Sequence, residues 1–151
     1  MHNWFECKVS YEKTLDNGMQ KKVTEPYLVD ALSFTEAEAR ITEEIRPYIS
    51  GEFTITDIKR AKLSELFFND NGDRFFKAKV LFVTLDERAG TEKKTPVYML
   101  AQASDIDEAQ VVIKKGMEGT LADYEVAEVK ETKLMDVFPY AEDQKKKIVL
   151  T

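Results

Sequence analysis

From Phe5 to Tyr11 the chain alternates: Phe5, Cys7, Val9 and Tyr11 fall on one side, Glu6, Lys8 and Ser10 on the other. A period of two predicts a half-buried strand. The stretch "LDNGMQ" follows, and its Asn17-Gly18 pair takes positive φ easily, so a hairpin and a second strand are expected. That strand runs to Ser33, where the spacing becomes helical: Ala37, Ile41, Ile45 and Tyr48 share one face. Thr35 with Glu38 three residues on reads as a capping box, with Phe34 and Ala39 as a weak staple around it. Pro47 and then Ser50-Gly51 end the helix. A third strand begins at Phe53. Its alternation slips between Ile55 and Ile58, as a bulge would make it.

The same pattern then returns. "WFECKVSY" falls on "FFKAKVLF" and "KKVTEPYLV" on "EKKTPVYML"; "FTITDIKRAKLSELF" falls on "YEVAEVKETKLMDVF". Ser33 aligns with Ser104, and one extra residue is placed before the second helix, so that Ile41 meets Ile113. The second capping box is Asp107 with Gln110, flanked by Ile106 and Val111. The second helical face is Ala109, Ile113 and Met117, with Gly116 and Gly119 weakening and ending it. Gly90 turns the second hairpin, and the slip recurs between Val126 and Val129. Self-similarity at a fixed offset is the signature of duplication.

The expected fold is therefore α+β. Two tandem ββαβ units, about 3–68 and 74–139, form a single domain over 1–140. They are related by a pseudo-two-fold axis, with helices on one side of a mostly antiparallel sheet. "NDNGD" (69–73) is a turn between them; it lacks the spacing and terminal Glu of a calcium loop. Leu81, Val83 and Leu85, beside Phe76, Val80 and Phe82, suggest that strand is covered on both faces. The tail, 141–151, frays or adds an edge strand with Ile148 to Leu150.

Several of these segments carry a resemblance. "MHNWFECKV", "KKVTEPYLVDALSFTEAEARI", "ISGEFTITDIKRA" and "LMDVFPY" resemble an uncharacterised family of small proteins from gut-type bacteria and their phages, domain-of-unknown-function family 4494. The resemblance reaches to about Tyr140 and implies no activity, cofactor or catalytic residue. At the level of pattern, the repeat is also similar to the tandem ββαβ units of a ribosomal large-subunit protein family.

Composition narrows the chemistry. Among the 151 residues His2 is the only histidine and Cys7 the only cysteine, too few for a Cys/His zinc site or an internal disulfide. Cys7 reads as a small buried hydrophobe. Glu36, Glu38, Glu43 and Glu44 read as a solvated helix face. No phosphate loop is present. Neither a cofactor, a metal nor a catalytic constellation is expected, and the protein is read as no enzyme. "MHNWFECK" has no signal-peptide pattern and no apolar run spans a bilayer, so a cytoplasmic protein without membrane contact is expected.

A net charge of −6 disfavours bulk attraction to nucleic acid. Lysines nevertheless recur at matched places: Lys8/Lys79, Lys22/Lys93, Lys59/Lys130 and Lys62/Lys133. With Trp4 and Phe75 beside them they are the candidate binding surface. Lysines interleaved with aromatics on a sheet suit single-stranded nucleic acid. Solvent-facing, edge-blunting lysines would look the same, and Trp4 would then be a sheet anchor. The expected function is a non-catalytic binding module for a protein partner or for self-association. Weak single-stranded nucleic-acid binding is the alternative, and an enzyme of unknown type the last.

Overall fold

The alternating face of the first strand decides where the first core forms. In a computed structural model that describes residues 3–140 and 146–150, β1 (Trp4–Thr14) and β2 (Gln20–Asp30) make the hairpin turned by Gly18 at φ 82°. Phe5, Cys7 and Val9 of β1 and Val29 and Ala31 at the end of β2 point to α1 (Phe34–Ile45), which answers with Ala37, Ile41 and Ile45. The third strand, β3 (Phe53–Ala61), pairs antiparallel with the other side of β1. Its register shifts between Lys8 and Val9, which places the expected bulge.

The same order follows in β5 (Arg74–Asp86), β6 (Thr91–Ala103), α2 (Ile106–Gly116) and β7 (Asp123–Glu131). Here the register shift falls between Lys79 and Val80. Ala78, Val80, Met99 and Ala101 pack with Val112, Ile113 and Met117. The described residues are thus mixed α+β, with two helices and two sheets, and strands predominate.

Four expectations need correcting. The helices are capped two residues earlier than the spacing suggested, by Ser33 and Asp105 rather than Thr35 and Asp107. Ser33 Oγ accepts from the Glu36 N–H at 3.1 Å and Asp105 Oδ1 from the Glu108 N–H at 2.8 Å. The glutamates reach back, each accepting the N–H of the residue before the cap, Leu32 and Ser104. Asp105 and Asp107 are the same residue type, so position decides: the cap is the last extended residue before the helix, with φ −155° at Ser33 and −154° at Asp105. Tyr48 lies beyond the helix end and is 76% exposed; Ile49 takes the core place instead.

The extra residue of the second half sits elsewhere too. Phe5 and Phe76 are 71 apart, but their partners Val29 and Ala101 are 72 apart. The offset between matching positions therefore changes in the hairpin loop around Asp86, not before α2. Ser33 stands level with Asp105, and Lys22 level with Lys94 rather than Lys93. Nor is β5 covered on both faces throughout: Leu81 and Val83 are half-buried, and Leu85 is 66% exposed.

The last strand of each half leaves its own sheet. The chain falls into two compact units, one holding the residues up to Ala61 together with the stretch from Lys133, the other holding Lys62–Thr132 and the end of the chain. In the first, the strand order is β3-β1-β2-β8, where β8 (Asp136–Phe138) runs parallel to β2. In the second it is β7-β5-β6-β4-β9, where β4 (Glu65–Phe68) runs parallel to β6 and β9 (Lys146–Lys147) parallel to β4. The reach of the chain explains the exchange. Between Ala61 and Glu65 the chain spans at most about 14 Å. The slot beside β2 is three strand spacings from β3, about 14 Å across, and also about 10 Å back along the strand. The link is too short to return to its own sheet.

The edge strand of the tail is β9, slightly earlier than Ile148–Leu150. Ile148 donates its N–H to the Phe68 carbonyl at 2.7 Å and packs with Leu150 against the second core.

Candidate binding surface

The face away from the helix carries Lys8 and Lys59 in the first unit and Lys79 and Lys130 in the second. On the first, Trp4, Glu6 and Lys8 of β1 lie level with Ala61, Lys59 and Asp57 of β3. The charges alternate: Lys59 Nζ is 3.5 Å from Glu6, and Lys8 is directly opposite Asp57. On the second, Phe75, Lys77 and Lys79 of β5 lie beside Lys130 and Glu128 of β7. A hollow of about 230 Å³ is lined by Lys77, Lys79, Tyr98, Glu128 and Lys130. Lys62 and Lys133 are exposed in the links after β3 and β7.

Trp4 and Phe75 do not join this surface as stacking platforms. They are 5% and 4% exposed, so both are sheet anchors. The apolar character that made them candidates is also what drives their burial. The aromatic that does meet the lysines is Tyr98, half-buried, with the Lys77 ammonium 4.9 Å from its ring centre. Lys77 was missed because its counterpart in the first half is Glu6, so it does not recur; Tyr98 falls on Tyr27 in the sequence match, but the strand registers set it level with Pro26, on the lysine face.

The other feature common to both units is an open groove between the helix and the edge strand. Phe53 and Ile55 of β3 with Glu38 and Thr42 of α1 and Arg46 at its C-cap line one of about 550 Å³. Tyr124, Val126 and Val129 of β7 with Gln110 and Lys114 of α2 line one of about 610 Å³. A further polar cleft of about 620 Å³ opens at the far end of β1, by Ser10, Tyr11, Lys22, Phe53 and Thr54. These grooves are invisible to a search for repeated polar residues, because partly buried apolar side chains form their floors.

The displaced proton equilibria all run one way. Burial pushes the Cys7 thiol up to about 12, helped by the nearby charges of Glu6 and Asp57. Burial and a 2.7 Å bond to Glu25 push the Tyr11 phenol to about 12. Tyr27 is raised as well, first by burial and then by Glu25. Tyr140 is raised by its bond to Glu36. All four stay protonated at neutral pH, so none is prepared as a nucleophile. Among the described residues no cluster of His, Cys, Asp and Glu could hold a metal ion, and no helix is long and apolar enough to cross a membrane. Native Cys7, fully buried, is expected to react with a soluble thiol reagent orders of magnitude more slowly than in the urea-unfolded chain. Equal rates would show that the first core opens freely.

The family model described as a domain of unknown function, DUF4494, matches residues 3–140. The chain belongs to the DUF4494 family. The match spans both helices, both grooves and the strands β1 to β8, and stops before β9. No curated protein and no solved structure matches the chain.

Proposed function

We propose that this DUF4494 protein is an internally duplicated, non-catalytic binding module of the cytoplasm whose edge strands accept an extended segment of a protein partner. The carrying observation is that β3 and β7 each lie at the edge of a sheet beside an open groove floored by apolar side chains. An added strand would hydrogen-bond along the edge and place alternate side chains in the groove. The shared bulge argues for a short guest. A bulged edge resists pairing along its whole length with an identical edge, so a partner's segment is favoured over a second copy. The duplication is supported by the matched registers and matched bulges, and it would present the same site twice.

The test is selection of peptides from a random library on the full-length protein, followed by hydrogen exchange and light scattering. Selected peptides are expected to protect amides of β3 or β7. Gln110→Trp and Thr42→Trp, which fill the grooves from the exposed side of the helices, are expected to weaken binding by about tenfold or more without lowering thermal stability. Peptides that bind both variants unchanged and protect neither edge would sink the reading. A dimer without added peptide would replace the partner with a second copy.

A second reading, single-stranded nucleic acid, is favoured only at the lysine hollow of the second unit.

A further inference from the structure

The lysine face of the second unit breaks a rule that the first unit keeps. Lys77 of β5 lies directly opposite Lys130 of β7, and like charges in direct cross-strand register destabilise a sheet. In the first unit the place of Lys77 is taken by Glu6, opposite Lys59. The first square of side chains, Glu6, Lys8, Asp57 and Lys59, is balanced. The second, Lys77, Lys79, Glu128 and Lys130, sets three cations against one carboxylate. In a chain of net charge −6 this excess of positive charge is local and asymmetric.

We infer that Lys77, Lys79 and Lys130 form a binding site for a phosphate monoester. The unbalanced charge matches a group that carries about −1.5 to −2 at neutral pH. A carboxylate would leave part of it uncompensated, and its planar fork suits arginine better than the point charge of lysine. A tetrahedral phosphate offers separate oxygens to separate ammonium groups. The hollow of about 230 Å³ holds a phosphate group and leaves the rest of the ligand outside. Tyr98 forms its rim, and the cation–π contact at 4.9 Å holds Lys77 over it. Glu128, 3.6 Å from Lys130, orients that ammonium without cancelling the site. The protein's overall negative charge weakens approach from a distance, but at physiological salt fields fade within about 8 Å, so the lysines dominate at contact. The site shares Glu128 with the β7 groove but opens on the face away from α2, and its probes contain no peptide, so either reading can fail alone.

The test uses the full chain and two substitutions that exchange the character of the two squares. Lys77→Glu copies the first unit's balance into the second and replaces a like-charged pair by an opposite one, so folding is retained. Glu6→Lys does the reverse. Inorganic phosphate, titrated against chloride at constant ionic strength, is expected to shift the amide resonances of Lys77, Lys79 and Lys130 and to raise Tm. Lys77→Glu should weaken this by about tenfold or more, and Glu6→Lys should create a second responsive set around Lys8 and Lys59. Short single-stranded oligonucleotides with and without a 5′-phosphate identify the source. Binding only with the 5′-phosphate supports a terminal phosphate on nucleic acid, and a response to inorganic phosphate alone supports a small phosphorylated ligand. Equal binding of both oligonucleotides, or a phosphate response unchanged by Lys77→Glu, would overturn the inference.

Discussion

Ending the chain after Thr132 is expected to bring the first unit to the edge of unfolding, although every removed residue lies more than seventy positions beyond Ala61, where β3 ends. The deleted segment contains β8, which fills the slot beside β2 with Val137 4% exposed and Phe138 stacked on Tyr27 at 6.0 Å. It also contains two partners of Arg40. That guanidinium donates to the carbonyls of Asp30 and Pro139 and lies 5.0 Å from the centre of the Tyr140 ring, binding helix, sheet and returning chain together. Losing Val137 alone costs about 2 kcal/mol of burial. Unmaking the ladder bonds and the ring stack adds about as much again. A small domain has roughly 5–15 kcal/mol in all, so the first unit should be left marginal. The second unit loses only β9 and its short flank. Hydrogen exchange on the truncated protein should show β1, β2 and α1 unprotected while β5 and β6 keep protection. Full protection of β1 and β2 would mean that β8 contributes nothing to the first core.

That prediction depends on a feature that local pattern does not encode. The strands themselves were legible, because Phe5-Cys7-Val9 and its counterpart alternate cleanly, and the bulge was legible from the slip between Ile55 and Ile58. The helices were legible because Ala37, Ile41 and Ile45 keep helical spacing. Which sheet receives β4 and β8 was not. "SELFF" and "MDVF" look like continuations of their own halves, and only the reach of the short links sends them elsewhere. The caps were misplaced because Ser33 and Thr35 both have the right chemistry and the geometry of the N-terminus chooses between them. The candidate surface was half-legible. Recurrence pointed to Lys79 and Lys130, and the same criterion hid Lys77, whose difference from Glu6 is what unbalances the charge. Burial of Trp4 and Phe75 depends on what covers a sheet's second face, which alternation alone does not report.

Two glycines of the second unit carry the other large effect, and they separate two kinds of close approach. Helix propensity alone says that Gly116→Ala, at the end of α2, should stabilise by about 1 kcal/mol. The opposite is expected. A Cβ there would lie 2.5 Å from the ring of Phe67, and that ring is 1% exposed in the second core with nowhere to move. Overpacking of this kind costs about 1–3 kcal/mol, so the net effect is destabilising. The obstruction is a side chain, so a smaller one should relieve it. In a Phe67→Leu background Gly116→Ala should be neutral or favourable, a coupling of about 1–2 kcal/mol between the two sites. Gly72 is different. Its N–H donates to the Asn69 carbonyl at 2.9 Å, while Gln102 Nε2 holds its carbonyl at 3.0 Å. A Cβ at 72 would lie 2.5 Å from the Cα and N of Ala103, which is backbone at the end of β6. No substitution at a neighbour relieves that. Either the strand end or the turn must move, with loss of the Gln102 bonds to both Asn69 and Gly72. Gly72→Ala should therefore cost more than Gly116→Ala, about 3 kcal/mol or more, and Phe67→Leu should not rescue it. Urea midpoints of the unaltered protein, the two glycine variants, Phe67→Leu alone and the two doubles measure both costs and both couplings. Equal costs with equal rescue would mean that the two glycines are kept for one shared reason, and that the backbone contact at Ala103 is not what holds position 72 to glycine.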